Sequence, residues 1–377
     1  MREVSQLLCE LIRIPSISGE EEAIASFIRD RLTPICDSVV KDSMHNVIAV
    51  IEGNRPGQTV LFNSHIDHAP VGDMENPYDG LIVDASVFGE EGSAVYGRGA
   101  SDNKGAGAAM ITAAKRLAAD RDFPGRLVLM FVAQEENGQA PGTGFALKNL
   151  DRKIDVAILG EATNMNVYLG HRGKVEFFLD TIGKSAHASN PANGVNAVTL
   201  MSNFIQAMKG IKLPEHDILG ACTWALTYIS CPDPGKAAIV PPEASIRFDC
   251  RYLPEETPES VYGRVDAVLR QLAADEADFR YDLRQNYIMP PFYTDKGHPF
   301  VAVLKREIAR SASREPQYGA WIFGGDGTFM VNDFDIPTIG FGPADEKYAH
   351  SAHDHVLERD LMAATDVYEA IMRNNLS

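Results

Sequence analysis

Imidazole and carboxylate groups recur at the ends of short apolar runs in this sequence. VLFNSHID closes on His65 and Asp67, VLMFVAQEE on Glu135 and Glu136, and VAILGEA on Glu161, while IGFGPADEKYAHSAHDH leads into His350, His353 and His355. Asp102 stands in YGRGASDNKGAGAAM, a glycine-rich turn ahead of a predicted helix. Histidine and carboxylate without thiolate make the ligand set of zinc, or a similar first-row divalent ion, in a hydrolase. His65, Asp102, Glu135, Glu136, Glu161 and His350 are too many for one tetrahedral site, and so many like charges stay ionised together only beside cations. Two ions bridged by one carboxylate resolve both difficulties. Asp102 is the expected bridge, because a short side chain on a glycine-flanked turn comes close to two ions.

Each of these residues also has an ordinary reading. A histidine at a strand end is commonly a satisfied structural residue, and adjacent glutamates usually face solvent. An aspartate at a helix start is most often an N-cap, and histidines near a chain end form polar loops or weak metal-binding tracts. Their joint placement decides for a metal site: ligand sites in open α/β sheets lie beyond the carboxyl ends of the strands, where these residues would gather. Competing readings of the glycine turn fail on spacing. Gly97 and Gly99 are followed by Asp102, not by the third glycine of a dinucleotide fingerprint. Gly183-Lys184-Ser185 has Phe178 where a Walker loop needs glycine, and GASDN puts Asn103 where a nucleophile elbow needs glycine.

The elements that must position these groups follow from hydrophobic patterning. Two amphipathic helices, over 2–13 and 20–33, flank IPSISGEE, where Ser18 is a candidate cap for the second. NVIAVIEG, QTVLFNSHID, RLVLMFVAQEE, DVAILGEA and IPTIGFGP read as buried strands, and an alanine-rich helix over 104–120 lies between the second and third. The result is an α/β sheet. Residues 172–287 have another texture, with the order β-α-β-β-α of a compact α+β unit, and the α/β pattern resumes afterwards. The expected organisation is therefore a catalytic domain over 1–171 and 288–377, split by an inserted domain over 172–287.

Bulk properties set the limits. A chain of 377 residues exceeds one hydrophobic core, and a net charge of −17 disfavours nucleic acid and anionic membrane as partners. No apolar run is long enough to span a bilayer, and MREVSQLLCELIRIPS lacks a signal peptide's uninterrupted core, so a cytoplasmic protein is expected. The five cysteines are scattered without a C-x-x-C pair, which indicates neither a disulfide framework nor a thiolate metal site.

SHID, YGRGASDNKG, VAQEENG, ILGEA, GKSAHASNPANGVNA, VPPEASIRFDCR and GFGPADEKYAHS together resemble, in order and over nearly the whole chain, the dinuclear zinc exopeptidase and deacylase family. That family contains succinyl-diaminopimelate desuccinylase, acetylornithine deacetylase, glutamate carboxypeptidase and the aminoacylases. GEATN, GHRGKVE and GFGPADEKYAH are most similar to its YgeY-type branch. The resemblance implies a zinc-exopeptidase-like catalytic domain, a mixed sheet flanked by helices, interrupted by a smaller ferredoxin-like domain that acts as lid and dimerisation surface. It implies two divalent ions, zinc first and cobalt or manganese as alternatives. His65 and Glu161 would hold one ion and Glu136 and His350 the other, with Asp102 bridging ahead of a cis peptide to Asn103. Glu135 would be the general base and Asp67 would orient the His65 ring.

His187, in GKSAHASNP, matches the family histidine that contacts the oxyanion, often in the neighbouring subunit of a homodimer. Arg251 matches an arginine that grips the substrate carboxylate, although pairing with Asp249 on a strand face is an equal alternative. GGDG, with Gly324 and Gly325, either presents backbone N–H groups to that carboxylate or is a simple turn. Two departures stand out: Ala238 where many relatives have Asn, and His353-Asp354 where they have Asn-Glu, which leaves ligation by His353 in place of His350 open. The implied activity is amide hydrolysis of a dipeptide or N-acyl amino acid, of deacetylase or desuccinylase type. The alternatives are a di- or tripeptidase or carboxypeptidase of the same family, or a non-catalytic binding protein on the same scaffold.

Overall fold

The computed structural model describes residues 2–138, 140–232, 235 and 238–374. The chain forms two compact units: Met1–Gly170 with Tyr293–Trp321 and Gly325–Ser377, and His171–Phe292 with Ile322–Gly324.

The large sheet is built almost wholly from the first unit. Its order is Ser38–Lys41, Val47–Glu52, Pro124–Val132, Arg55–His65, Val156–Leu159, Thr338–Gly340, Val167–His171 and Phe292–Tyr293, with Tyr318–Trp321 also pairing with Val167–His171. Pro124–Val132, Arg55–His65, Val156–Leu159 and Thr338–Gly340 run parallel, and the strands at both edges are antiparallel, so the sheet is mixed. The parallel strands are the runs of consecutive apolar residues, as expected of strands covered on both faces. Val156–Leu159 is buried throughout. Register then decides what emerges at the carboxyl rim. His65 lies opposite Val132, and Asn63 opposite Leu159, so His65, Glu135-Glu136 and Glu161 leave adjacent strands at one level.

The helix Gly105–Asp120 packs beside Glu3–Ile12 and Glu358–Arg373. Its alanine-rich GAGAAMITAA half is buried on every side, and small residues permit the close approach. Leu81–Asp84, Ser93–Tyr96 and His355–Leu357 form a separate three-stranded antiparallel sheet that brings the segment after His350 beside Tyr96. Ser18 does not cap the second helix, as its position suggested. Its hydroxyl donates to Asp67 Oδ2 at 2.6 Å, and the helix Glu22–Leu32 begins without a side-chain cap.

The second unit is a β-α-β-β-α-β fold with sheet order Thr223–Ser230, Glu243–Tyr252, Gly173–Ile182, Arg280–Met289, all antiparallel. Gly173–Ile182 and Glu243–Tyr252 alternate buried and half-exposed residues, and the buried set packs against the helices Ala197–Lys209 and Pro258–Asp275. The unit reaches Phe292, beyond the expected 287, because its last strand pairs along Gly173–Ile182 as far as Met289 opposite Lys174. That strand, RYDLRQNYIM, buries only Leu283, so no apolar alternation announces it.

Phe248 anchors this second core, its ring centroid 5.3 Å from Phe177 and 5.9 Å from Phe204. Phe248→Ala is expected to destabilise the second unit by about 3–5 kcal/mol, read from denaturant unfolding followed by intrinsic fluorescence.

Candidate metal centre

His65 closes its strand with the ring almost wholly buried, at 1% exposure. Its Nδ1–H donates to the carbonyl oxygen of Asp67 at 3.1 Å, and the Asp67 carboxylate lies 3.4 Å from the same nitrogen. Both ring nitrogens thus face acceptors, with Nε2 2.7 Å from Asp102 Oδ1 and 3.6 Å from Glu161 Oε1, and a metal ion bound there would take the place of the Nε2 proton. On the other side of Asp102, Oδ2 lies 3.2 Å from His350 Nε2, which is 2.9 Å from Glu136. The side chains thus fall into two groups, His65–Asp102–Glu161 and Asp102–Glu136–His350, and Asp102 belongs to both. His353 belongs to neither, and its ring lies edge-on to Phe88.

The turn carrying Asp102 explains its glycines. Gly99 has φ +86, a conformation side chains resist, and a Cβ on Gly105 would sit 2.4 Å from the Ala100 carbonyl oxygen. The Asp102–Asn103 peptide is cis, and Asn103 Nδ2 donates to Glu161 Oε1 at 3.0 Å.

Asp67 does more than face the His65 ring. Oδ1 accepts the N–H of Glu135 at 3.1 Å, and Oδ2 accepts those of Glu136, at 3.0 Å, and the Ser18 hydroxyl. Glu21 Oε1 accepts the N–H of Gln134 at 3.1 Å and of Gly19 at 2.7 Å. Two buried carboxylates therefore hold three consecutive amides of the turn bearing Glu135, and Gln134 sits there at φ +62. Nothing in the SISGEE stretch signalled this support, because its partners are more than a hundred residues away in Glu135's segment.

Burial and like charge set the protonation states. Burial pushes Glu161 up to about 8 against the pull of His65, and raises Glu135 well above the usual range, with Asp326, Glu161 and Glu136 adding to it. Burial alone would lower His65, but Glu161, Asp102 and Asp67 outweigh it and raise the ring well above its ordinary value. His350 is raised to about 10 by hydrogen bonds to Asp102 and Glu136. Asp102 is held low despite its burial, by hydrogen bonds to both imidazoles.

Asp326, read in the sequence only as part of a glycine turn, is completely buried, and neither carboxylate oxygen has a hydrogen-bond partner among the described residues. Burial lifts it to about 7. Gly325, its neighbour, lies close to Glu135: a Cβ there would be 3.6 Å from Glu135 Oε1.

A divalent ion fits this donor set. Ligand atoms 2.0–2.2 Å from a tetrahedral ion lie about 3.3–3.6 Å apart, and the four contacts above span 2.7–3.6 Å. Paired cations would also offset the buried acids whose charge nothing else compensates.

The second unit carries His187 and Arg251. His187 Nδ1 accepts the N–H of Ser189 at 3.1 Å, and the side chain is exposed. Arg251 makes a two-pronged contact with Asp249, at 2.8 and 3.4 Å. It also lies near Arg172, lowering that guanidinium's proton affinity after burial has done so first, and Arg172 Nε is buried without a partner among the described residues. The backbone oxygen of Ala238 accepts the N–H of Ala188, next to His187.

The sequence profile described as Peptidase family M20/M25/M40 matches residues 61–374. The chain is 25% identical to the uncharacterised protein YgeY of Escherichia coli strain K12, over 98% of this chain and 93% of that protein. It is 27% identical to the succinyl-diaminopimelate desuccinylase of Marinobacter nauticus, over 97% of each. Among solved structures, the aminopeptidase PepT of Bacillus cereus superposes with a TM-score of 0.78 at 19% identity, covering 98% of this chain and 97% of that one.

The protonation states predict a pH dependence for protein stripped of metal. Glu161, Asp326 and His350 all bind protons more tightly folded than unfolded, so their stabilisation is whole below their ordinary values of 4.5, 3.8 and 6.5. It is lost as pH rises through about 8, about 7 and about 10 respectively. Asp102 acts oppositely, but only in the acid range. The stripped protein's melting temperature should fall from about pH 5 to about pH 9, and added divalent metal should raise it more at the alkaline end, as read by scanning fluorimetry.

Proposed function

The chain belongs to peptidase family M20/M25/M40 and is a metal-dependent hydrolase of amide or peptide bonds, and we propose that it releases an amino acid from a dipeptide or N-acyl amino acid at a pair of zinc ions. The observation that carries this reading is the sharing of Asp102 by two ligand groups, with Glu135 beside them and in neither. His65 and Glu161 would hold one ion and Glu136 and His350 the other, with Asp102 as the carboxylate common to both groups. Cobalt and manganese suit the same donors.

Divalent ions held there would supply Lewis acidity and lower the pKa of a bound water towards neutrality. Glu135 would take a proton from the attacking water and pass it to the departing nitrogen. Asp67 keeps the His65 tautomer and the Glu135 backbone in place. By resemblance to the family, His187 would supply a donor to the developing oxyanion, and Arg251, Gly324 and Gly325 would supply donors to the substrate carboxylate. Against this last role, Arg251 is already paired with Asp249, which a substrate must share or displace.

The second unit serves as the lid and dimer surface in this reading. Thr223–Ser230 forms an outer strand of its sheet and exposes Leu226, Tyr228 and Ile229, at 40%, 53% and 57%. An apolar edge of this kind suits pairing with the same edge of a second copy. The cysteines, all unpaired, accord with a cytoplasmic setting. No helix among the described residues is long and apolar enough to cross a membrane.

Hydrolysis of a panel of N-acetyl and N-succinyl amino acids and dipeptides with zinc, cobalt or manganese tests the activity, and no turnover with any would leave a binding protein. Glu135→Gln should lower kcat by about 10²–10⁴-fold with metal content unchanged, and full activity in that variant would overturn the assigned base. Ile229→Lys should shift the protein from dimer to monomer in sedimentation velocity.

A further inference from the structure

Asp354 lies four residues after His350 and is completely buried. Its carboxylate accepts four hydrogen bonds, all from one short turn. Oδ2 accepts from the N–H of Gly99 at 2.7 Å and from Arg98 Nη1 at 3.0 Å. Oδ1 accepts from the N–H and the hydroxyl of Ser101, both at 2.7 Å. The backbone oxygen of Asp354 adds the N–H of Gly97 at 3.1 Å. That turn leads directly into Asp102.

The grip is specific to a carboxylate. Only an acceptor-only group meets two amides, a hydroxyl and a guanidinium at once. The Arg98 guanidinium is itself buried, at 2% exposure, and donates otherwise to the Val71 carbonyl oxygen, so Asp354 is its counter-charge. The segment that carries Asp354 also carries His350, whose Nε2 is 3.2 Å from Asp102 Oδ2. The Asp102 turn and the His350 segment are therefore joined at two points, one at the ligands and one behind them.

We propose that Asp354 is a positioning residue for the metal pair: by holding the Arg98–Ser101 turn against the His350 segment, it fixes the one carboxylate both ions share. The proposal rests on the paired-metal reading above. It makes the spacing of the two ions depend on a residue that touches neither.

Three variants test it. Asp354→Asn keeps the size but turns one acceptor into a donor that faces the Gly99 N–H and Arg98. Asp354→Glu keeps the counter-charge for Arg98 but cannot keep all four bonds in a closed slot, and Ser101→Ala removes the hydroxyl bond alone. Stripped protein is titrated with Mn²⁺, with uptake followed by chelator competition and the spin-coupled manganese pair by electron paramagnetic resonance. The wild type should take up two ions as a coupled pair. Asp354→Asn and Asp354→Glu should bind about 10–100-fold more weakly with the coupled signal altered or lost, and Ser101→Ala should show a smaller shift in the same direction. Phe248→Leu, destabilised but remote, should keep wild-type affinity and spectrum. If Asp354→Asn does not fold, the other two decide. Wild-type affinity and an unchanged coupled spectrum in both Asp354→Glu and Ser101→Ala would overturn the proposal. A wild type that binds no coupled pair would instead overturn the paired-metal reading, and this proposal with it.

Discussion

Crowded negative charge in a buried place is the constraint from which the rest of this structure follows. Asp67, Asp102, Glu161 and Asp326 are buried or nearly so, Glu135 and Glu136 are partly buried, and among the described residues His65 and His350 are the side chains of the two ligand groups that can carry positive charge. Two like charges 4 Å apart repel by about 4 kcal/mol at an effective dielectric of 20, and loss of hydration adds to that cost. A fold with this arrangement must supply donors, protons or cations.

The protein divides the work among its acids. Asp67, Glu21 and Asp354 are satisfied by amides and hydroxyls, and each uses its acceptor capacity to hold a loop that bears other acids. Glu161 accepts one side-chain amide, from Asn103, and burial raises Glu161, Glu135 and Asp326, as it also raises Glu21 and Asp354. The first set holds the loops on which the other acids stand. Adjacent residues can fall on different sides of this division: Glu136 faces His350 while Glu135 joins neither ligand group.

Much of the site was legible along the chain because parallel strands impose a simple geometry. Hydrophobic runs that end in polar residues place those residues at one rim, whatever their distance in sequence, and His65, Glu136 and Glu161 illustrate it. The frame behind them was not legible. Ser18 looked like a helix cap and donates to Asp67, Asp354 looked like a deviation from a familiar motif, and Glu21 carried no reading at all although it holds the Gln134 amide. Local pattern has no term for hydrogen bonds spanning 49, 113 or 255 residues. The strand Arg280–Met289 escaped for a related reason: it is held by pairing with its neighbour rather than by its own apolar face.

The amino-acid sequence alone determined the kinds of side chain that gather at the site, the strands that end in them, and the inserted α+β segment, because periodicity and residue chemistry are properties of short stretches. Tertiary structure alone decided that Asp102 faces both imidazoles, that His350 and not His353 joins it, and that Arg251 meets Asp249. Those outcomes depend on strand register and on the path of turns in three dimensions, where differences of one or two ångströms separate a shared ligand from a solvated one.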